Sequence, residues 1–188
     1  MAGYFSILAR MAGSANPIIG PLLQAQGEPD SQAMQARLLM LEDPLSALHP
    51  DVKETSRLVY TALKAKNDTY LQFNDEFYIR YDRVLSMLVA HRYITTTASI
   101  GHRYYGGIRC SPAYTIYMCG LFEDTSKMDR LAEVMDNCRM GHSLYAQVTA
   151  RDLGLPLPVV TAAFDGYESN GWGVCSKTLG EVTYRSLV

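Results

Sequence analysis

No stretch of eighteen apolar residues runs through these 188 residues, so the sequence carries no membrane-spanning helix. An excess of one charge is missing too. The formal net charge is −2, which excludes a globally basic nucleic-acid binder and leaves room only for a locally basic one. Cysteine is sparse and unpatterned. Cys110, Cys119, Cys138 and Cys175 form no C-x-x-C pair or zinc-knuckle spacing, and only His142 follows a cysteine closely. The reading is of reduced, partly buried thiols and no metal site. G-x-S-x-G, the phosphate loop and H-E-x-x-H are all absent, and His49, His91, His102 and His142 stand far apart. The expectation is therefore a protein that is not an enzyme, without cofactor or small-molecule substrate. What is present suffices for a core: 48% apolar and 19% charged residues exclude a disordered chain.

Charge is distributed unevenly along the chain. Residues 1–27 contain Arg10 and no acid, a composition that suits an organellar targeting segment or an extension docked on a neighbour. Residues 28–54 are acidic. Residues 55–110 carry a net positive charge from Arg57, Lys64, Lys66, Arg80, Arg83, Arg92, Arg103 and Arg109 against Asp68, Asp75, Glu76 and Asp82. Residues 111–188 are acidic again. The basic middle is the electrostatic footprint open to an anionic partner.

Periodicity divides the chain into an extension over 1–50, an α/β subdomain over 51–120 and a mainly β subdomain over 121–188, an α+β protein overall. Asp51 with Glu54 three residues later reads as a capping box, and Leu58, Val59, Ala62 and Leu63 continue a helix over 52–66. Asn67-Asp68 marks a turn, and a short strand follows at Tyr70. Tyr81, Val84, Leu85, Leu88 and Val89 define a second helix over 75–91. The stretches 93–97 and 114–118 read as a hairpin. Beyond it, 143–148, 155–164 and 180–188 read as strands. The glycine cluster Gly166, Gly171, Gly173 reads as a turn, and Leu144, Tyr145 and Val182 as core.

One segment mixes the chemistry that nucleic acid needs. His102-Arg103-Tyr104-Tyr105-Gly106-Gly107-Ile108-Arg109 combines guanidinium groups for phosphate, tyrosines such as Tyr105 for base stacking, and glycines for close approach. Arg92, Arg103 and Arg109 are candidate phosphate ligands on charge alone.

The order of elements carries a resemblance. Residues 58–66 (L-V-Y-T-A-L-K-A-K) and 82–94 (D-R-V-L-S-M-L-V-A-H-R-Y-I) resemble the first two helices of the small-subunit ribosomal protein S-eight family, in a divergent mitochondrial form. Residues 138–147 (C-R-M-G-H-S-L-Y-A-Q) resemble its S-K-P-G-L-R-V-Y-A-K. Over 166–182, Gly166 falls on the glycine closing its S-T-S-x-G, and 179–182 (L-G-E-V) on its G-G-E-V. The chain departs from the family in Ala162-Ala163-Phe164 for Ser-Thr-Ser, in Met140 for proline and in its acidic balance. The resemblance implies a structural constituent of the small mitochondrial ribosomal subunit, in the matrix. It would hold the central domain of the small-subunit rRNA and meet neighbouring ribosomal proteins through residues 1–50. By matched position it implies RNA contacts at Lys64, Lys66, Arg139, Gly141, Gly166, Tyr167 and Ser169.

Two alternatives stay open. A winged-helix DNA binder would use 75–91 as recognition helix and 93–118 as wing, although Asp75, Glu76 and Asp82 would repel phosphate. A helical-repeat protein is suggested by 115–136, which resembles one pentatricopeptide-type hairpin, but no second copy follows at a period of about 35 residues.

Overall fold

In a computed structural model the described residues are 49–98, 105–178 and 180–187, so the extension over 1–48 and Arg103 lie outside them. The described residues form six helices and two three-stranded antiparallel sheets, an α+β fold. No helix among them is long and apolar enough to cross a membrane.

Helix α1 (Val52–Lys66) buries Val52, Thr55, Ser56, Val59, Tyr60 and Leu63, the spacing of one helical face. The expected capping box is not formed. Asp51 is itself helical in conformation and makes no side-chain cap, while Glu54 accepts from the Tyr81 hydroxyl at 2.7 Å instead. Strand β1 (Tyr70–Leu71) follows. Helix α2 (Asp75–Ala90) is capped by Asn74, whose side chain accepts from the Phe77 amide. It ends in a Schellman motif: the Tyr93 amide donates to the Leu88 carbonyl and the Arg92 amide to that of Val89. Arg92 holds the left-handed position, at φ 60°, where glycine is usual. Strands β2 (Ile94–Ala98) and β3 (Tyr105–Cys110) complete the first sheet, in the order β1-β3-β2.

The second half corrects the expectation of a mainly β subdomain. Residues 114–118 belong not to a strand but to helix α3 (Pro112–Phe122), started by Ser111 as cap and Pro112 in the first turn. Their β-prone side chains are tolerated because six successive residues from Tyr114 to Cys119 are buried, and tertiary packing overrides propensity. Helix α4 (Thr125–Asp136) follows, capped by Asp124. Strand β4 (Ser143–Tyr145) passes directly into helix α5 (Ala146–Leu153), which ends at Gly154 with φ 61°. The expected strands over 155–164 are helix α6 (Leu157–Ser169), because Pro156 and Pro158 sit at its start, where a missing amide costs nothing. Strands β5 (Gly173–Thr178) and β6 (Glu181–Ser186) close the second sheet, in the order β4-β6-β5.

From α4 to β6 the succession is helix, strand, helix, helix, strand, strand, with the last strand between the other two. That is the topology of a winged helix-turn-helix module. The first half, from α1 to β3, repeats the strand order with one helix fewer. Helix α3 joins the halves, packing on both α1 and α6. The Tyr114 hydroxyl pins it to Ser56 of α1 at 2.8 Å in the buried core. One continuous apolar cluster therefore runs across residue 120.

Candidate nucleic-acid interface

Alternation along the first sheet separates two chemistries. Leu71, Ile94, Ile108 and Cys110 point into the core and are buried. Tyr70, Thr95, Thr97, Gly107 and Arg109 share the other face. The register pairs Tyr70 and Thr95 with Arg109 from either side, and Thr97 with Gly107. Tyr70 lies diagonally across from Gly107 and covers it. A Cβ at 107 would stand 2.6 Å from the tyrosine Oη and 2.7 Å from Cζ, so any larger residue there would push the ring outward.

Two cations approach that ring. The Lys66 ammonium is 5.1 Å from its centroid and donates to the Tyr70 carbonyl at 2.8 Å. The Arg109 guanidinium is 5.6 Å from the centroid. Neither has a carboxylate partner among the described residues. The Tyr70 hydroxyl meets Thr97 Oγ1 at 3.3 Å and Gln72 Nε2 at 3.4 Å. These hydrogen bonds, with the two positive charges adding, hold it below the ordinary tyrosine range. Sequence reading named Lys66 and Arg109 but missed Tyr70, Gln72, Thr95 and Thr97. Thr95 and Thr97 alternate with buried Ile94, which was a usable signal. A two-residue strand offers none for Tyr70.

The other expected residues are scattered. Lys64 stands two positions from Lys66, so the two project from different sides of α1. Lys64 is spent inside the molecule, paired with Glu123, whose side chain is 14% exposed. Arg92 is exposed and has no ion pair among the described residues. Tyr105 opens β3 opposite Ala98, where the register shifts. Arg139 and Gly141 occupy an exposed turn, with Gly141 at φ 80° as the turn requires.

Gly166, Tyr167 and Ser169 do not form the expected RNA-facing turn. They lie in α6, where Gly166 and Tyr167 are buried. The Tyr167 hydroxyl donates to Asp136 at 2.7 Å, and Ser169 donates back to the Gly166 carbonyl. The helix runs on through Gly166 because Phe164 and Tyr167 fill the core, and the turn is delayed to Gly171 at φ 75°. Ala162, Ala163 and Phe164 are buried as well, so that segment has no surface for RNA. Tyr145, expected in the core, is 46% exposed, whereas Leu144 and Val182 do pack against it.

Asp165, Glu168 and Cys175 converge as three potential metal ligands. Lys177 and a backbone amide already compete for their oxygens. The Lys177 ammonium lies 2.8 Å from Asp165, and Glu168 accepts from the Cys175 amide at 2.8 Å. Burial, with the Glu168 and Asp165 carboxylates beside it, pushes the Cys175 thiol up to about 12.

The helices offer less to nucleic acid than the first sheet does. In a winged helix-turn-helix module the second helix of the pair enters the major groove. Here that helix, α6, is packed against α3, and its exposed end carries Glu168. Helix α2 exposes Asp75, Glu76 and Asp82, and its Arg80 is paired with Glu54 at 3.3 Å. Comparison with protein-family models, curated proteins and solved structures returns no match.

Proposed function

We propose that this chain is a non-catalytic RNA-binding protein that takes an unstacked strand or loop on the open face of its first sheet. One observation carries the reading: the Tyr70 ring, seated on Gly107, has the Lys66 and Arg109 cations 5.1 and 5.6 Å from its centroid and stands beside Thr95 and Thr97. An aromatic platform offers a base a stacking surface, and the nearby cations offer its phosphates a charge. Unstacked bases suit a sheet face; a duplex groove needs a free helix, and α6 is covered.

The assembly we propose is the small mitochondrial ribosomal subunit, with its rRNA central domain as ligand and ribosomal proteins as neighbours. The support is the resemblance set out above. The succession helix, strand, helix, strand, strand over 52–110 agrees with it, while the helix over 157–169 departs from it. The test is sedimentation of organelle extract with and without ribonuclease. Co-migration with the small subunit, lost on ribonuclease treatment, is the expected result. A 20.9 kDa species at the top of both gradients contradicts the ribosomal assignment.

A second reading, duplex DNA binding, is favoured by the winged topology of the second half. Competition separates the two. Duplex DNA displacing a bound RNA loop at equal concentration would favour it; failure to displace supports the sheet-face reading.

A further inference from the structure

The open face of the second sheet repeats the chemistry of the first. Its register sets Ser143, Arg185 and Val174 in one row and Tyr145, Thr183 and Ser176 in the next. Tyrosine again stands on the first strand, arginine on the central one and hydroxyl residues around them. Tyr145 is 46% exposed, Val174 is half exposed and Arg185 is exposed. The Arg185 guanidinium lies against the exposed turn, 3.7 Å from where a Gly141 side chain would begin. Arg139 and Met140 precede that glycine, and Met140 is 73% exposed. Among the described residues neither Arg139 nor Arg185 has an acidic partner. Glu181, on the same side of β6, sits at the opposite, hairpin end of the strand.

We infer that this second face, built on Tyr145, Arg185 and Arg139, is another contact surface for single-stranded nucleic acid. Arg185 and Arg139 neutralise phosphates, Tyr145 stacks a base, and Val174 and Met140 give the bases an apolar margin. The unpaired positive charge selects this occupant: an anionic polymer with planar apolar bases satisfies both the guanidinium groups and the exposed apolar atoms. The inference rests on the RNA-binding reading and adds a second contact surface to it.

The test uses the full chain and a fluorescein-labelled thirty-nucleotide oligouridine, followed by anisotropy over a series of potassium chloride concentrations. Three proteins are compared: the unaltered chain, a first-face variant (Lys66→Gln, Arg109→Gln) and a second-face variant (Tyr145→Ala, Arg185→Gln, Arg139→Gln). All replaced side chains of the second face are at the surface, and circular dichroism melting verifies that the variant is folded. Should it melt early, Arg139→Gln with Arg185→Gln alone repeats the comparison. The second-face variant is expected to bind about tenfold more weakly, and two lost phosphate contacts lower the salt slope by about 1.4. Unchanged affinity and slope in that variant, with loss in the first-face variant, overturn this inference alone. Loss in the second-face variant only supports it and overturns the first-face reading. No binding by the unaltered chain overturns both.

Discussion

Both sheets place a tyrosine diagonally over a glycine, and the two pairs face opposite ways. In the first sheet Tyr70 covers Gly107 on the open side. In the second, Tyr184 covers Gly173 on the buried side, where a Cβ at 173 would stand 2.1 Å from the ring. Tyr184 is 1% exposed, donates to the Trp172 carbonyl at 2.9 Å and packs on Phe164 and Tyr167. The same cross-strand device thus builds a core in one module and leaves a platform in the other. Which side it occupies is a matter of strand alternation, and that decides whether the ring is buried or left on an open face.

The comparison breaks most visibly at the buried glycine. Gly173→Ala forces a methyl into a ring that cannot swing away, and it should lower stability by roughly 2–3 kcal/mol in urea unfolding. A loss no larger than that of Gly107→Ala, whose tyrosine is free to tilt outward, would mean that the two pairs are equivalent. Next in size is Tyr70→Ala. It should weaken RNA binding by about 1–2 kcal/mol, the worth of one stacked base, and leave the melting temperature nearly unchanged. Tyr184→Ala should do the reverse, melting early through the loss of a buried ring. Smaller again is Lys66→Gln, which should reduce the salt slope of binding by about 0.7 with stability unaltered.

The smallest effect is on proton release. Burial pushes the Tyr184 phenol up to about 12, whereas Tyr70 is held below the usual value near 10. In alkaline absorbance titration the Tyr70→Phe variant should lose an early component and Tyr184→Phe a late one. As pH rises from about 10 towards about 12 the unfolded chain releases a proton that folded Tyr184 keeps, so stability falls across that window. Tyr184→Phe should flatten part of the fall.

Helices α1 and α2 were legible because their apolar residues recur at helical spacing over four turns, and the structure returns both nearly to the residue. Helix α3 was not. Being buried on nearly every side, it has no amphipathic period, and Tyr114, Thr115 and Ile116 read as a strand. The cue to a helix was Ser111-Pro112, a cap followed by a first-turn proline. Helix α6 was hidden similarly, by Val159-Val160-Thr161 between prolines and glycines. Of the candidate interface, Lys66 and Arg109 were visible as charges in a basic segment. Tyr70 and Gly107 gain their meaning only from a diagonal pairing between strands almost forty residues apart in sequence, which local pattern cannot express.

The most direct measurement is ultraviolet crosslinking of the protein to RNA in native extract, with mass spectrometry of the crosslinked peptides. The prediction is a nucleotide adduct on Tyr70, accompanied by adducts in the β2–β3 hairpin. Adducts confined to helix α2 or α6, with Tyr70 unmodified, would contradict the claim that the open face of the first sheet holds RNA.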